Sequence, residues 1–537
     1  MKYRSTRGSP KLLSFSEVVL TGLAEDGGLF IPQTIPTLPR NWRSEWSKHS
    51  FNSLALEIFS LYISENEIPR ADLESLIDKS YSVFRNEKVT PLKKIKERFY
   101  ILELFHGPTF AFKDVALQFL GNLFEYLLER KNRENVLDGK GRNDRITVLG
   151  ATSGDTGSAA IYGLRGKKDI SVFILHPRGK VSSVQEAQMT TVLDENVHNL
   201  AVEGTFDDCQ AIVKTLFSDV PFNKKNNLGA INSINWARIL AQIVYYFHSY
   251  FQFLSLLNIS PDSSESSNIR LQYVVPTGNF GDVLAGYYAK RMGLPIEKLV
   301  VATNSNDILD RFFKSGRYEK VSGENGRHVV HETLSPAMDI VVSSNFERLL
   351  WYLAYETIDN SNESEVSSKE EMRSNLAGSI VNKWMNDLKT EHRLIVDKAQ
   401  LEVALRDFRS ARVSDQETMD TISRLYSPDA ENQVSYVLDP HTAIGVTVAE
   451  NQIISENTHQ ICLATAHPAK FSSAVEESLK NFKEFEFKQI LPKEFIGLLE
   501  KKKKVIYVER ADPELVKQIV DKELEIELSQ MSSKTNV

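Results

Sequence analysis

Lys113 has the setting that most invites chemistry. It lies in the stretch 101–118, ILELFHGPTFAFKDVALQ, which starts strand-like, turns at Gly107-Pro108 and runs into an amphipathic helix. Leu117, Leu120, Leu123, Phe124, Leu127 and Leu128 recur at the spacing of one helical face. The amide dipoles at a helix start disfavour a cation, and Phe110, Ala111 and Phe112 can strip water from the amine and disfavour its charged form further. A lysine treated in this way is a candidate Schiff-base nucleophile. Taken alone, the stretch also accommodates an ordinary lysine whose head reaches water past apolar neighbours.

Three turns stand at the carboxyl ends of expected strands, where ligands bind in open α/β sheets. The first, Thr152-Ser153-Gly154-Asp155-Thr156-Gly157, follows ITVLGA and opens a helix, so its amides suit a carboxylate or phosphate. A tight turn capped by Asp155 or Thr156 is the other reading. The second, Pro276-Thr277-Gly278-Asn279-Phe280-Gly281-Asp282, has two glycines three apart, which lets the backbone curl into an anion nest without a cationic side chain. It is not a Walker loop, because the Gly-Lys pairs at 139, 166 and 179 are preceded by Glu134, Ile161 and Ile174 where that motif needs glycine. It also lacks the third glycine of the dinucleotide fingerprint. The third turn brings Thr465 and His467 out of a late strand, and His441-Thr442-Ala443 is a similar case. HExxH, CxxC and GxSxG are absent, which argues against a zinc or serine hydrolase, and no metal is expected. Together, a helix-start lysine, two anion loops and a strand-end hydroxyl fit pyridoxal 5'-phosphate, which needs an amine, a phosphate cradle and a partner for its ring nitrogen. The second cradle would take the carboxylate of an amino-acid substrate.

The elements that position these groups alternate. Strands are expected at 146–151, 171–176, 197–202, 271–275, 299–303, 461–465 and 505–509, with helices at 158–164, 182–193, 206–217, 236–257, 283–292, 442–453 and 472–481. That spacing means an α/β protein with mostly parallel sheets, two of them at this length. Residues 1–92 read as a separate N-terminal unit, 93–528 as the catalytic region with a smaller subdomain near 145–230, and 529–537 as a frayed tail. The segments 130–145, 260–268 and 359–373 read as polar surface insertions, and Lys501–Lys504 as a solvated face. A length of 537 residues exceeds one compact core. Hydrophobic content of 42% and charged content of 25% are globular values. A net charge of −7 gives no general reason to bind nucleic acid or anionic membrane. Cys209 and Cys462 lie far apart, as in a reducing compartment. The opening residues lack a signal-peptide core, and the apolar stretch 239–257 is broken by Gln242, His248, Ser249 and Gln252, so a cytoplasmic chain with a buried helix is expected.

HGPTFAFKD around Lys113, ATSGDTGSAA at 151–160, PTGNFGD at 276–282, DPHTAIG at 439–445 and TAHPAKF at 465–471 resemble the threonine synthase family. The likeness is to its long fungal and bacterial form. YRSTRG and AEDGGLFIP resemble that family's N-terminal domain, so the likeness covers most of the chain. The resemblance implies a fold-type II pyridoxal-phosphate enzyme of the tryptophan synthase β-like kind, with two parallel-sheet α/β subdomains and an N-terminal domain. It implies γ-elimination of phosphate from O-phospho-L-homoserine and β-addition of water to give L-threonine, the last step of threonine biosynthesis, by a monomer or homodimer. Lys113 matches the cofactor lysine; Gly278, Asn279, Phe280 and Asp282, with Gly281, match the phosphate turn; Thr465 matches the ring-nitrogen partner. Ser153, Asp155 and Thr156 fall in the substrate-carboxylate loop. Arg7, His106 and Arg238 are candidates for the substrate phosphate. A serine/threonine dehydratase-like β-eliminase and a catalytically silent phospho-ligand-binding homologue are the alternatives.

Overall fold

The apolar runs that read as buried strands form two sheets. A computed structural model describes residues 1–141, 144–229, 231–321, 329–358, 366–427 and 435–535. It divides into one unit of Met1–Gly107 with Ser233–Gln489 and a second of Pro108–Asn232 with Ile490–Val537.

In the second unit, Ile146–Ala151, Ile170–Pro177 and Val197–Val202 are parallel neighbours. Among the described residues they lie in a five-stranded sheet whose edges are Ile506–Val508 and Leu228–Gly229. All eight residues of Ile170–Pro177 are buried, as expected of a strand covered on both faces. Phe173, Leu175, Leu200, Cys209, Ile212, Val516 and Val520 fill the core on one side. The C-terminal segment belongs to this unit because its strand pairs with Val197–Val202, and its helix continues from Pro513 to Thr535, through most of the expected tail. Residues 536–537 lie outside the described residues. Lys504 is not solvated as the lysine run suggested: its ammonium donates to the carbonyls of Asp194 (2.9 Å) and Glu195 (3.3 Å).

The helix that begins at Lys113 runs to Leu137 and takes in the first part of the charged segment at 130–145; residues 142–143 lie outside the described set. It crosses the helix Asp155–Leu164 at a pair of glycines. A Cβ on Gly121 would lie 2.0 Å from the Gly163 carbonyl oxygen, and one on Gly163 would lie 2.5 Å from the Leu117 oxygen. Backbone therefore rests on backbone, and this contact sets Lys113 relative to the 152–157 loop. Gly163→Val is expected to destabilise the protein by about 3 kcal/mol, because neither backbone can retreat without moving its helix; chemical denaturation measures it.

In the first unit, among the described residues, a six-stranded sheet runs in the order Phe408–Arg412, Ile296–Thr303, Arg270–Pro276, Thr458–Ala464, Phe99–Glu103, Leu92–Lys96. Only the last pairing is antiparallel. The helix Trp236–Leu256 is buried along nearly its whole length and packs on Gly281–Met292. Among the described residues no helix is long and apolar enough to cross a membrane. The N-terminal residues fall in the same unit. Tyr3–Ser5 pairs with Phe30–Pro32, and Tyr3, fully buried, has its ring 5.6 Å from that of Trp236. Of the polar segments, 260–268 contains a short helix at Ser264–Asn268, and 359–373 becomes the helix Val366–Thr390 from residue 366 on; residues 359–365 lie outside the described set.

Candidate active site

The candidate residues divide between the two units: Lys113, Ser153, Asp155 and Thr156 in one, and the 278–282 turn, Thr465, His106, Arg7 and Arg238 in the other.

Lys113 is the first residue of its helix, and its ammonium lies 5.8 Å from the centre of the Phe112 ring. The turn before it is braced by Asp114, whose fully buried carboxylate accepts from the Thr109 amide and hydroxyl, each at 2.7 Å. Gln188 donates to the Thr109 carbonyl at 3.1 Å. Phe110 holds φ +60°, unusual for an aromatic residue, with its ring packed edge-on against Phe495 at 4.9 Å. Strain held in this way fixes the direction of the following residues.

The 152–157 loop is organised by Thr152, a residue that no spacing in the sequence marks. Its hydroxyl accepts the amides of Gly154 (3.0 Å) and Gly157 (2.8 Å), and its own amide bonds Leu175 (2.9 Å). Neither Asp155 nor Thr156 caps the helix: Gly154, at φ +146°, is the cap residue, and Asp155 begins the helix. The Asp155 carboxylate accepts from Gln185 Nε2 at 2.8 Å. A Cβ on Gly157 would lie 2.4 Å from Thr152 Cγ2, so only glycine closes this turn. Among the described residues the amides of Ser153 and Thr156 meet no protein acceptor, which leaves them for an anion at a helix start.

The 276–282 turn is built in the same way. Phe280 is the left-handed cap (φ +62°) of helix Gly281–Met292, and its buried ring is 5.1 Å from that of Phe346. The carbonyls point outward to partners: Gly278 O accepts the Ser343 hydroxyl (2.7 Å), and Asn279 O accepts the Asn345 amide (3.1 Å) and its Nδ2 (3.0 Å). Among the described residues the amides of 278–282 meet no protein acceptor. That is the form of an anion nest. Asp282 adds only its amide. Its carboxyl turns into the core, where Oδ1 accepts from Tyr245 (2.5 Å) and Tyr246 (3.0 Å) and, among the described residues, Oδ2 has no partner. Burial pushes this carboxyl up to about 7, against the two tyrosine hydrogen bonds. The folded chain therefore holds a proton that the unfolded chain releases near pH 4, and the stability this supplies is lost as pH rises from about 4 to about 7. Asp282→Asn, which resembles the protonated acid, is expected to flatten the pH dependence of stability over that window. It should also be the more stable protein at pH 8, as thermal melts across pH would record.

Thr465 follows strand Thr458–Ala464. Its amide donates to Thr442 Oγ1 (3.2 Å), and the Thr442 hydroxyl donates to Asp439. Among the described residues its hydroxyl has no protein partner. His441 Nδ1 faces Asp439 (2.9 Å) while Nε2 accepts the Ala337 amide (3.2 Å), which places its proton on Nδ1. Burial, and after it the nearness of His106, pushes His467 down to about 4, and its Nδ1 accepts the Ala469 amide.

His106 Nε2 sits 2.8 Å from Glu103, whose carboxylate also meets Lys93 and Tyr436, each at 2.7 Å. Burial pushes Glu103 up, but those three donors outweigh it and hold the carboxyl below its usual value. Arg7 is engaged by Glu347 through Nε (3.0 Å) and Nη2 (2.8 Å). Arg238 differs. It is 4% exposed in the first turn of helix Trp236–Leu256, and among the described residues its Nε and Nη1 have no partner. Burial pushes it down to about 10, so it remains a cation near neutral pH. The next residue, Ile239, flanks the 276–282 turn: a Cβ on Gly281 would lie 3.7 Å from its Cδ1. A buried guanidinium with open donors calls for an anion.

Comparison with known proteins places the chain in a family. Family models match at residues 2–81 (Threonine synthase N terminus), 83–377 (Pyridoxal-phosphate dependent enzyme) and 442–520 (Threonine synthase, C-terminal). The chain is 55% identical over 532 residues to a threonine synthase of Saccharomyces cerevisiae, covering 97% of this chain and 98% of that one. It is similar to the crystal structure of threonine synthase from yeast, with a TM-score of 0.87, 53% identity and coverage of 98% and 99%. The PLP-bound threonine synthase of Brucella melitensis gives 0.82, 39% identity and coverage of 97% and 99%.

Proposed function

The chain belongs to the threonine synthase family and to its fold class of pyridoxal-phosphate-dependent enzymes, and on that premise we propose that it takes O-phospho-L-homoserine and water to L-threonine and phosphate through the residues described above. The residues fit the cofactor. The 278–282 amides lack protein acceptors, a Cβ on Gly278 would crowd Ala337 O at 3.0 Å, and the Thr465 hydroxyl is uncommitted among the described residues. When bound, pyridoxal phosphate supplies an aldehyde for an amine and a pyridine ring that accepts electron density from the substrate Cα.

Lys113 Nζ would hold the cofactor's aldehyde carbon, and the same amine would take the proton from the substrate Cα and later return one there. The 278–282 turn would hold the cofactor phosphate through its amides. Thr465 would offer the ring nitrogen a hydroxyl rather than a carboxylate, a partner that would leave that nitrogen largely unprotonated. The amides of Ser153 and Thr156 bind the substrate carboxylate, and Asp155, held by Gln185, fixes the loop. For the substrate phosphate the assignment goes to Arg238. The observation that carries it is the buried guanidinium with two unpartnered nitrogens. Arg7, already paired with Glu347, and His106, paired with Glu103, are the weaker candidates. The proposal places the enzyme in the cytoplasm as a monomer or homodimer.

Assay of the purified holoenzyme with O-phospho-L-homoserine should yield threonine and phosphate in equal amounts. Conversion of threonine to 2-oxobutyrate without phosphate release would instead identify a dehydratase, and no turnover of either substrate a silent homologue.

A further inference from the structure

Arg348 is fully buried, and it serves three parts of the chain at once. Nε donates to the Phe30 carbonyl (2.9 Å) in the strand that pairs with Tyr3–Ser5. Nη2 donates to the Ile234 carbonyl (2.6 Å), just ahead of the Arg238 helix, and Nη1 donates to Asn345 Oδ1 (2.5 Å). None of these acceptors is a carboxylate, and the adjacent Glu347 is paired with Arg7. The cation is therefore buried without direct neutralisation, with the Trp236 ring centre 5.9 Å away as further support.

The bond to Asn345 has a directional consequence. With Oδ1 taken by Arg348, Nδ2 of Asn345 must face the other way, where it donates to Asn279 O (3.0 Å) and Ser233 O (3.1 Å). Asn279 O also accepts the Asn345 amide (3.1 Å). The same peptide unit carries the Phe280 amide on its opposite side. Two hydrogen bonds into its carbonyl orient that peptide and polarise it, so the Phe280 N–H becomes a stronger donor.

We propose that Arg348 is a positioning residue for the phosphate turn, acting through Asn345 and the 279–280 peptide, and that it ties the N-terminal segment to the grip on the cofactor phosphate. This rests on the reading of the 278–282 turn as the cofactor-phosphate cradle. The charge of Arg348 is relayed rather than touched: arginine to amide side chain, amide side chain to carbonyl, and the far side of that peptide to the anion. Lysine at 348 keeps the charge but cannot serve three acceptors in fixed directions.

The test compares two cofactor forms that differ only in the phosphate. Full-length holoenzyme is dialysed to equilibrium against graded pyridoxal 5'-phosphate or graded pyridoxal, and retained cofactor is read from its absorbance. Arg348→Lys and Asn345→Ala are each expected to reduce the preference for the phosphorylated form by about tenfold, the scale of one charge-assisted hydrogen bond. Pyridoxal retention should not change, and the phosphorus resonance of the bound cofactor should shift. Equal loss of both forms would mean that Arg348 only supports folding and would overturn the proposal, as would an unchanged preference. If Arg348→Lys does not fold, Asn345→Ala decides alone. Gly278→Val, which crowds the turn itself, separates the premise from the inference. If that variant keeps the full preference, the turn is not the phosphate cradle and the proposal fails with it. If it loses the preference while Asn345→Ala keeps it, only the relay fails.

Discussion

Lys113→Ala is expected to lose the visible absorbance of the bound cofactor and at least about 10³-fold in kcat/KM, since the proposal gives one amine both tasks, cofactor anchor and Cα base. Folding should be little affected. Lys113 is half-buried at a helix start, where a cation is unfavourable, and the turn before it is braced by Asp114, Thr109 and Gln188. Thermal stability within about 1 kcal/mol of the parent, together with lost absorbance, separates a chemical role from a structural one. Wild-type absorbance in the variant would remove Lys113 from the site.

Arg238→Met should divide function from stability in the opposite sense. The guanidinium is buried with two open nitrogens, so replacing it by an apolar chain of similar length removes an uncompensated charge and is expected to stabilise the unliganded protein by about 1–3 kcal/mol. Binding of a phosphorylated substrate should suffer, because the substrate's anion then has no cation to meet. A loss of about 10²–10³-fold in kcat/KM is expected, the scale of removing one partner from a buried charge pair. Cofactor absorbance should be unchanged. Loss of absorbance with retained kcat/KM would reassign Arg238 away from the substrate.

Much of this was legible in the sequence because the signals are local. ITVLGA reads as a buried parallel strand, and its loop and helix follow from small residues and periodicity. Lys113, the Gly278–Gly281 turn and Thr465 lie within motifs of a few residues. Side-chain direction was not legible. Asp282 sits in the 276–282 turn by sequence, yet its carboxyl turns inward to Tyr245 and Tyr246, on a helix that begins dozens of residues earlier. Arg7 looked available to an anion but pairs with Glu347 across 340 positions. Thr152 could not be distinguished from its neighbours, because its bonds to Gly154 and Gly157 depend on the turn having closed. Asn345 and Arg348 carry no motif at all; their part emerges only once the carbonyls they serve are in place. The Gly121–Gly163 approach is similar, since each glycine reads alone as a weak spot in a helix and only the pair explains both.

The central claim is elimination at Cγ followed by addition of water at Cβ, and turnover of O-phospho-L-homoserine in ¹⁸O-enriched water tests it most directly. The expected result is threonine carrying one solvent oxygen in its hydroxyl group, with released phosphate free of label because the carbon–oxygen bond breaks. Label in the phosphate with homoserine as product would mean simple phosphoester hydrolysis and would contradict the account.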